Sequence, residues 1–146
     1  MLKSMFTAIL ALGLTAAFAE EAKTDAKSAK KVDLVAGKKV FETNCVLCHG
    51  ATGKGDGAGA AALKPKPRNF TDTAFMASEG TEKLRKVIAK GGASAGLSPL
   101  MPAWKGILKD DQIDNVLAYV LKTFSGEGSP KWEAAAKAAE EKKAKK

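Results

Sequence analysis

Only one histidine and two cysteines occur in the 146 residues of this chain. A structural zinc site normally takes four Cys or His ligands, and the chain holds three in all. Aromatic residues are also few, at 6%. The lysines are scattered instead of forming one basic arm, so the chain does not read as a nucleic-acid binder. No apolar stretch reaches the ~20 residues that a membrane-spanning helix needs. Alternating apolar and polar runs are missing around the cysteines, which removes the βαβ setting of a thioredoxin-like Cys pair. The stretch Gly50 to Gly59 is half glycine, yet neither G-x-x-x-x-G-K-[ST] nor G-x-G-x-x-G fits it, so it is not a phosphate loop.

What is present begins with the N-terminus. Lys3 supplies a weak positive region, Met5 to Ala16 is an apolar run interrupted only by Thr7 and Thr15, and Ala17-Phe18-Ala19 fits an A-x-A cleavage site. Residues 1–19 therefore read as a secretory signal peptide, with an uncleaved membrane anchor as the lesser alternative. The mature chain would begin at Glu20 and be exported to the periplasm. Its 127 residues suffice for one domain. Loss of Lys3 takes the formal charge from +8 to +7, which suits acidic partners or a membrane surface.

The three scarce residues all lie in one pentapeptide, Cys45-Val46-Leu47-Cys48-His49. C-x-x-C-H is the attachment signature of a c-type haem. Each thiol adds to one vinyl group, and the histidine binds the iron. On a helical turn, residues three and four apart share a face, so two sulfurs and one imidazole can converge on one macrocycle. The plainer alternative is a Cys45–Cys48 disulfide in an exported protein. The adjoining His and the export signal favour haem.

Residues 20–31 are polar, mixed in charge and free of large apolar side chains, so they read as a flexible leader. Asp33 is a plausible cap for a helix whose Leu34, Gly37, Val40 and Phe41 recur at helical spacing up to Asn44. Gly37 costs helix stability, so its place there points to a close helix crossing. The glycine-rich stretch fits a loop lying against a flat cofactor. Pro65 and Pro67 then enforce an extended path. A carbonyl from that path could fix the ring of His49, as supporting groups do in metal sites.

Thr81 to Lys90 reads as an amphipathic helix capped by Thr81, with Leu84, Val87 and Ile88 inward and Gly91-Gly92 at its end. Pro99 and Pro102 stiffen the loop around Met101. Asp110 to Phe124 is the strongest helix, with Ile113, Val116, Leu117, Val120, Leu121 and Phe124 on one face. Residues 126–146 read as a basic Ala/Lys/Glu-rich tail outside the domain, because Trp132 is its sole large apolar residue.

Methionine paired with histidine raises the potential of an electron-transfer haem. After processing only Met76 and Met101 remain. Met76, beside Phe75, fits a core gap-filler. Met101, in its stiffened loop 52 residues after His49, can reach the opposite haem face. The competing reading leaves Met101 as packing and the iron five-coordinate or water-bound.

Taken in order, these features resemble a class I cytochrome c of the small bacterial periplasmic kind. The features are the helix with Gly37 and Phe41, the Cys45–Gly50 motif, the Gly53-Lys54-Gly55-Asp56-Gly57 loop and the Pro65–Asp72 run. Met101-Pro102-Ala103-Trp104 and a last helix bearing Tyr119 complete the set. The resemblance covers about Val32 to Phe124, and the domain reads as residues 32–125. It implies an all-α fold of three main helices and long loops around one covalent haem c. In that arrangement the first and last helices cross, and Pro65 or Pro67 supports His49. Arg68 and Trp104 contact the haem propionates. It further implies a soluble, monomeric one-electron carrier for redox partners, and not an enzyme. Lys64, Lys66 and Lys105 would steer acidic partners. Members often start the last helix with Thr or Ser before the acidic pair; here Lys109 stands there, and Asp110 can cap instead. The alternatives are a sensor or peroxidase-like protein with an open distal site, or an electron-transfer module of a larger respiratory complex.

Overall fold

The computed structural model describes residues 32–145. The expected signal peptide and the whole of the expected polar leader lie outside them. Six α-helices follow one another among the described residues: α1 (Leu34–Asn44), α2 (Val46–His49), α3 (Thr73–Glu79), α4 (Thr81–Lys90), α5 (Asp110–Val120) and α6 (Pro130–Ala144). The described residues contain no strand, only a single bridge between Lys105 and Leu108.

Helix α1 starts where Asp33 accepts hydrogen bonds from the amides of Val35 and Ala36, both at 2.9 Å. The Asp33 amide itself donates to Asn115 Oδ1 on α5 at 3.0 Å. Helix α1 crosses α5 at Gly37. A methyl group there would strike the Asn115 carbonyl and lie 2.9 Å from Tyr119 Cβ. Glycine lets the backbones meet, and Phe41 then sinks to 1% exposure with the rings of Tyr119 and Phe124 5.6 and 5.2 Å away.

Helix α5 buries Ile113, Val116, Leu117 and Val120, the face that the periodicity picks out. It begins at Asp110 as expected, but its cap and its C-terminal end differ from expectation. Lys109 is the cap and Asp110 the first helical residue; Gln112 closes the end by accepting from the Lys109 amide at 2.9 Å. At the other end α-helical bonding stops at Val120, and a wider π turn carries Leu121–Ser125. The turn still buries Leu121 and points Ser125 Oγ at the Phe70 carbonyl, 2.8 Å away. Gly126, at φ +70°, ends it.

Helix α4 matches its expected span, but Gly80 holds the cap position and Thr81 makes no capping bond. Arg85 clasps α4 to α5, with Nε 2.5 Å from Asp114 and Nη2 3.0 Å from Asp110.

Helix α3 is absent from the sequence reading. Asp72 caps it by accepting from the Phe75 amide at 3.1 Å, and Met76 and Ala77 are buried.

The C-terminal segment requires a correction. Residues 130–144 form a helix that packs on α3, and Trp132 is 7% exposed within the same core cluster as Met76, Ala77 and Leu121. Ser129 caps the helix, accepting from the Trp132 amide at 3.2 Å, and Pro130 takes the first helical position, where no amide is needed. Trp132, Ala135 and Ala136 share the inner face. One indole among alanines gives almost no periodic apolar signal, but alanines permit a close approach and the indole supplies the buried area.

Candidate haem site

The chain turns helical again directly after α1. Cys45 donates its amide to the Phe41 carbonyl, while its own carbonyl accepts from Cys48 at 3.2 Å and His49 at 2.9 Å. That turn gathers Cys45, Cys48 and His49. Gly50, at φ +75°, breaks it, and the glycine loop folds back so that Gly55 donates to the His49 carbonyl at 2.9 Å and Gly57 to that of Cys48 at 3.2 Å. The two cysteines are half-buried and not joined to each other. Burial, with the neighbouring Cys48, pushes the Cys45 thiol up to about 11, so it is protonated at neutral pH.

His49 is stacked on Phe70, centroids 4.5 Å apart and planes 15° from parallel. Burial pushes its pKa down to about 4, outweighing the Arg68 carbonyl, which favours the protonated ring. The imidazole is thus neutral, the form in which it ligates a metal. Its Nδ1 is the one buried side-chain polar atom without a partner in hydrogen-bonding geometry among the described residues. Arg68 is the residue whose backbone acts on this ring, without completing a hydrogen bond to Nδ1.

Two clefts open beside His49. The first is bordered by Pro65, Pro67, Arg68, Met76 and Met101; the second by Cys45, Cys48, Met101 and Trp104. His49 and Met101 border both. Each of the eight residues singled out in the sequence borders one cleft or the other: Pro65, Pro67 and Arg68, with Lys66 and Lys83, the first, Cys45, Cys48 and Trp104 the second, and His49 and Met101 both. Arg68 and Trp104, paired above as propionate contacts, fall on different clefts. The Arg68 guanidinium lies 4.3 Å over the Phe75 ring. The walls are apolar, including Leu63, Phe70, Ile88 and Val120. These donors and this slot fit a haem: two thiols on one helical turn, a neutral imidazole, a thioether and apolar walls.

The seat of the Met101 loop escaped the sequence reading. Gly92 donates to the Met101 carbonyl at 3.0 Å, Met101 to Ser98 at 3.1 Å, Trp104 to Ile88 at 3.2 Å and Lys105 to Ala89 at 3.0 Å. A side chain on Gly92 would meet the Ser98 carbonyl and, at 3.1 Å, Met101 Cβ. The Gly91-Gly92 pair was legible only as a helix stop, although it also receives the loop.

An all-α frame with such a slot defines a protein built around a flat, thiol-attached cofactor. The family model "Cytochrome c" matches residues 34–124, and the chain belongs to that family, as a class I c-type cytochrome. It is 38% identical over 89 residues to cytochrome c6 of Leptolyngbya boryana, covering 61% of this chain and 91% of that one. With the cbb3-type cytochrome c oxidase subunit FixP of Bradyrhizobium diazoefficiens it shares 34% identity over 91 residues, 62% of this chain but 28% of FixP. Among solved structures, a chain of the Kuenenia stuttgartiensis reducing HAO-like protein complex is similar at 27% identity and TM-score 0.50, over 62% of this chain and 43% of that one. The family implies covalently bound haem c and haem-based electron transfer. Among the described residues, no helix is long and apolar enough to cross a membrane.

Proposed function

We propose that the protein is a soluble, monomeric periplasmic one-electron carrier with one haem c, attached through Cys45 and Cys48 and ligated by His49 and Met101. The observation that carries this reading is that His49 and Met101 border both clefts while the two sulfurs border one. Bound haem supplies a one-electron iron couple. The chain does the rest. His49 presents a neutral ring stacked on Phe70, and the Met101 loop is pinned to the end of α4. Apolar walls keep water away, and the Cys48 and His49 carbonyls tie the motif to its glycine loop. If His49 and Met101 both held the iron, no position on it would be left for a substrate, which favours carrying electrons over a sensor or peroxidase role.

Lys64, Lys66 and Lys105 are exposed and would steer acidic redox partners, at rates that fall with salt. Export follows from residues 1–19, with cleavage before Glu20. The likeness to FixP supports a second reading, a module that serves a larger respiratory complex. Visible spectra of wild type against Met101→Ala test the ligand set. The variant should keep its thioether-bound haem and lose the long-wavelength charge-transfer band of methionine-ligated ferric haem. An unchanged iron environment would remove Met101 from the set.

A further inference from the structure

Helix α6 lies wholly beyond the residues that the family model matches, which end at 124. It is nevertheless fastened to the site's wall. Trp132 enters the core cluster with Met76 and Ala77 of α3. Lys143 Nζ donates to the carbonyl of Ser78, in the last turn of α3, at 3.1 Å. Such a carbonyl lacks a partner inside its own helix, so a lysine there meets both an acceptor and the negative end of the dipole. Helix α3 has only seven residues, too few to be stable without tertiary packing. Its neighbours on the far side of the site are direct. Phe75 and Met76 border the first cleft, and Phe75 carries the guanidinium of Arg68, which borders the same cleft as His49.

We infer that α6 is a strap that positions α3, and that Trp132 is a positioning residue for the haem environment, acting through Met76 and Phe75. The inference rests on the haem reading above. The oxidised form of a haem carries one more positive charge than the reduced form. A wall that lets water in therefore favours the oxidised form and lowers the potential, as exposure does for redox centres generally. A segment that merely added stability, or merely docked a partner, would leave the potential where it was.

The test uses the mature holoprotein, Trp132→Ala and a chain ending at Gly128. Haem attachment is verified first by the pyridine haemochrome spectrum, then the midpoint potential is measured by spectroelectrochemistry. Hydrogen exchange is followed at the amides of Phe75, Met76 and Ala77. Both variants should keep the haem, lose protection at α3 and show a lower potential. At the wild-type midpoint the oxidised-to-reduced ratio should rise about threefold, or about 28 mV at 59 mV per decade for one electron. If either variant fails to fold, Trp132→Leu decides by the same criterion with a smaller cavity. Haem-loaded variants with unchanged potential overturn the strap, even if they melt lower or lose a partner. A wild-type chain that carries no haem overturns the haem reading itself and the strap with it.

Discussion

Replacing Gly37 by alanine sets two well-characterised effects against each other at a single methyl group. Ala is the better helix former by about 1 kcal/mol, so propensity alone makes Gly37→Ala stabilising. Packing opposes this. The added methyl would collide with the Asn115 carbonyl and come within 2.9 Å of Tyr119 Cβ. The first obstacle is backbone, not the free end of a side chain, so α1 and α5 must separate. Overpacking of this kind costs roughly 1–3 kcal/mol, and a rigid obstacle belongs at the upper end. The net expectation is a loss of about 2 kcal/mol, or about 8 °C in Tm at ~4 °C per kcal/mol for a domain of this size. Urea titration of the holoprotein measures it, with Lys38→Ala as the control. Lys38 is exposed and its ion pair with Glu42 is 3.7 Å long, so that substitution should stay within about 0.5 kcal/mol. A Gly37→Ala protein as stable as wild type, or more so, would refute the close crossing.

Two further outcomes follow from the site. Gly92→Ala should weaken the methionine–iron charge-transfer band without loss of thioether-bound haem, because its methyl would push against the Ser98 carbonyl and Met101 Cβ; an unchanged band and potential would show that Gly92 does not seat the loop. Acid should also destabilise the haem-free fold, in which no iron holds the ring, through His49. Its folded pKa is about 4 against 6.5 unfolded, so as pH falls through 6.5 the unfolded chain takes up a proton that the folded one refuses. Stability is full above 6.5 and declines until pH 4, by up to about 3 kcal/mol at 1.36 kcal/mol per unit. Urea midpoints at pH 7 and 4.5 measure this, and a midpoint that does not fall on acidification contradicts the buried neutral ring.

The parts of the fold that were legible from sequence are those whose signal is local and periodic. Asp33 before an apolar-periodic run marks a helix start, and Ile113, Val116, Leu117 and Val120 mark a face, whatever they pack against. The pentapeptide was legible because covalent attachment demands those residues at that spacing. Features that depend on a partner far along the chain were not. Helix α3 is too short to show a period, and Trp132 gains its meaning only from Met76 and Ala77, more than fifty positions earlier. Gly92 looked like punctuation because its role is set by the carbonyl of Met101. Prolines drew attention to Pro65 and Pro67, while the backbone of Arg68, the next residue, also acts on the His49 ring, since proline fixes a path without fixing which peptide unit turns inward.

The two proposed iron ligands are held by different means, and that difference bears on how the site would behave. His49 is secured by its own neighbourhood: the turn from Cys45, the returning glycine loop and the stacked Phe70 all lie within about 21 positions of it. Met101 sits in a loop held by backbone bonds at the end of α4, where the carbonyls of Ile88 and Ala89 accept from Trp104 and Lys105 and the Gly92 amide donates to Met101. Helix α4 is in turn kept on α5 by the partly exposed Arg85 clasp. Local opening takes the least well-packed segment first. The histidine side therefore holds as long as the core around Phe41 holds, and the methionine side depends on α4. Fixed ligands in both oxidation states favour fast electron transfer, so the fastening of the Met101 loop matters as much to function as the more conspicuous C-x-x-C-H motif.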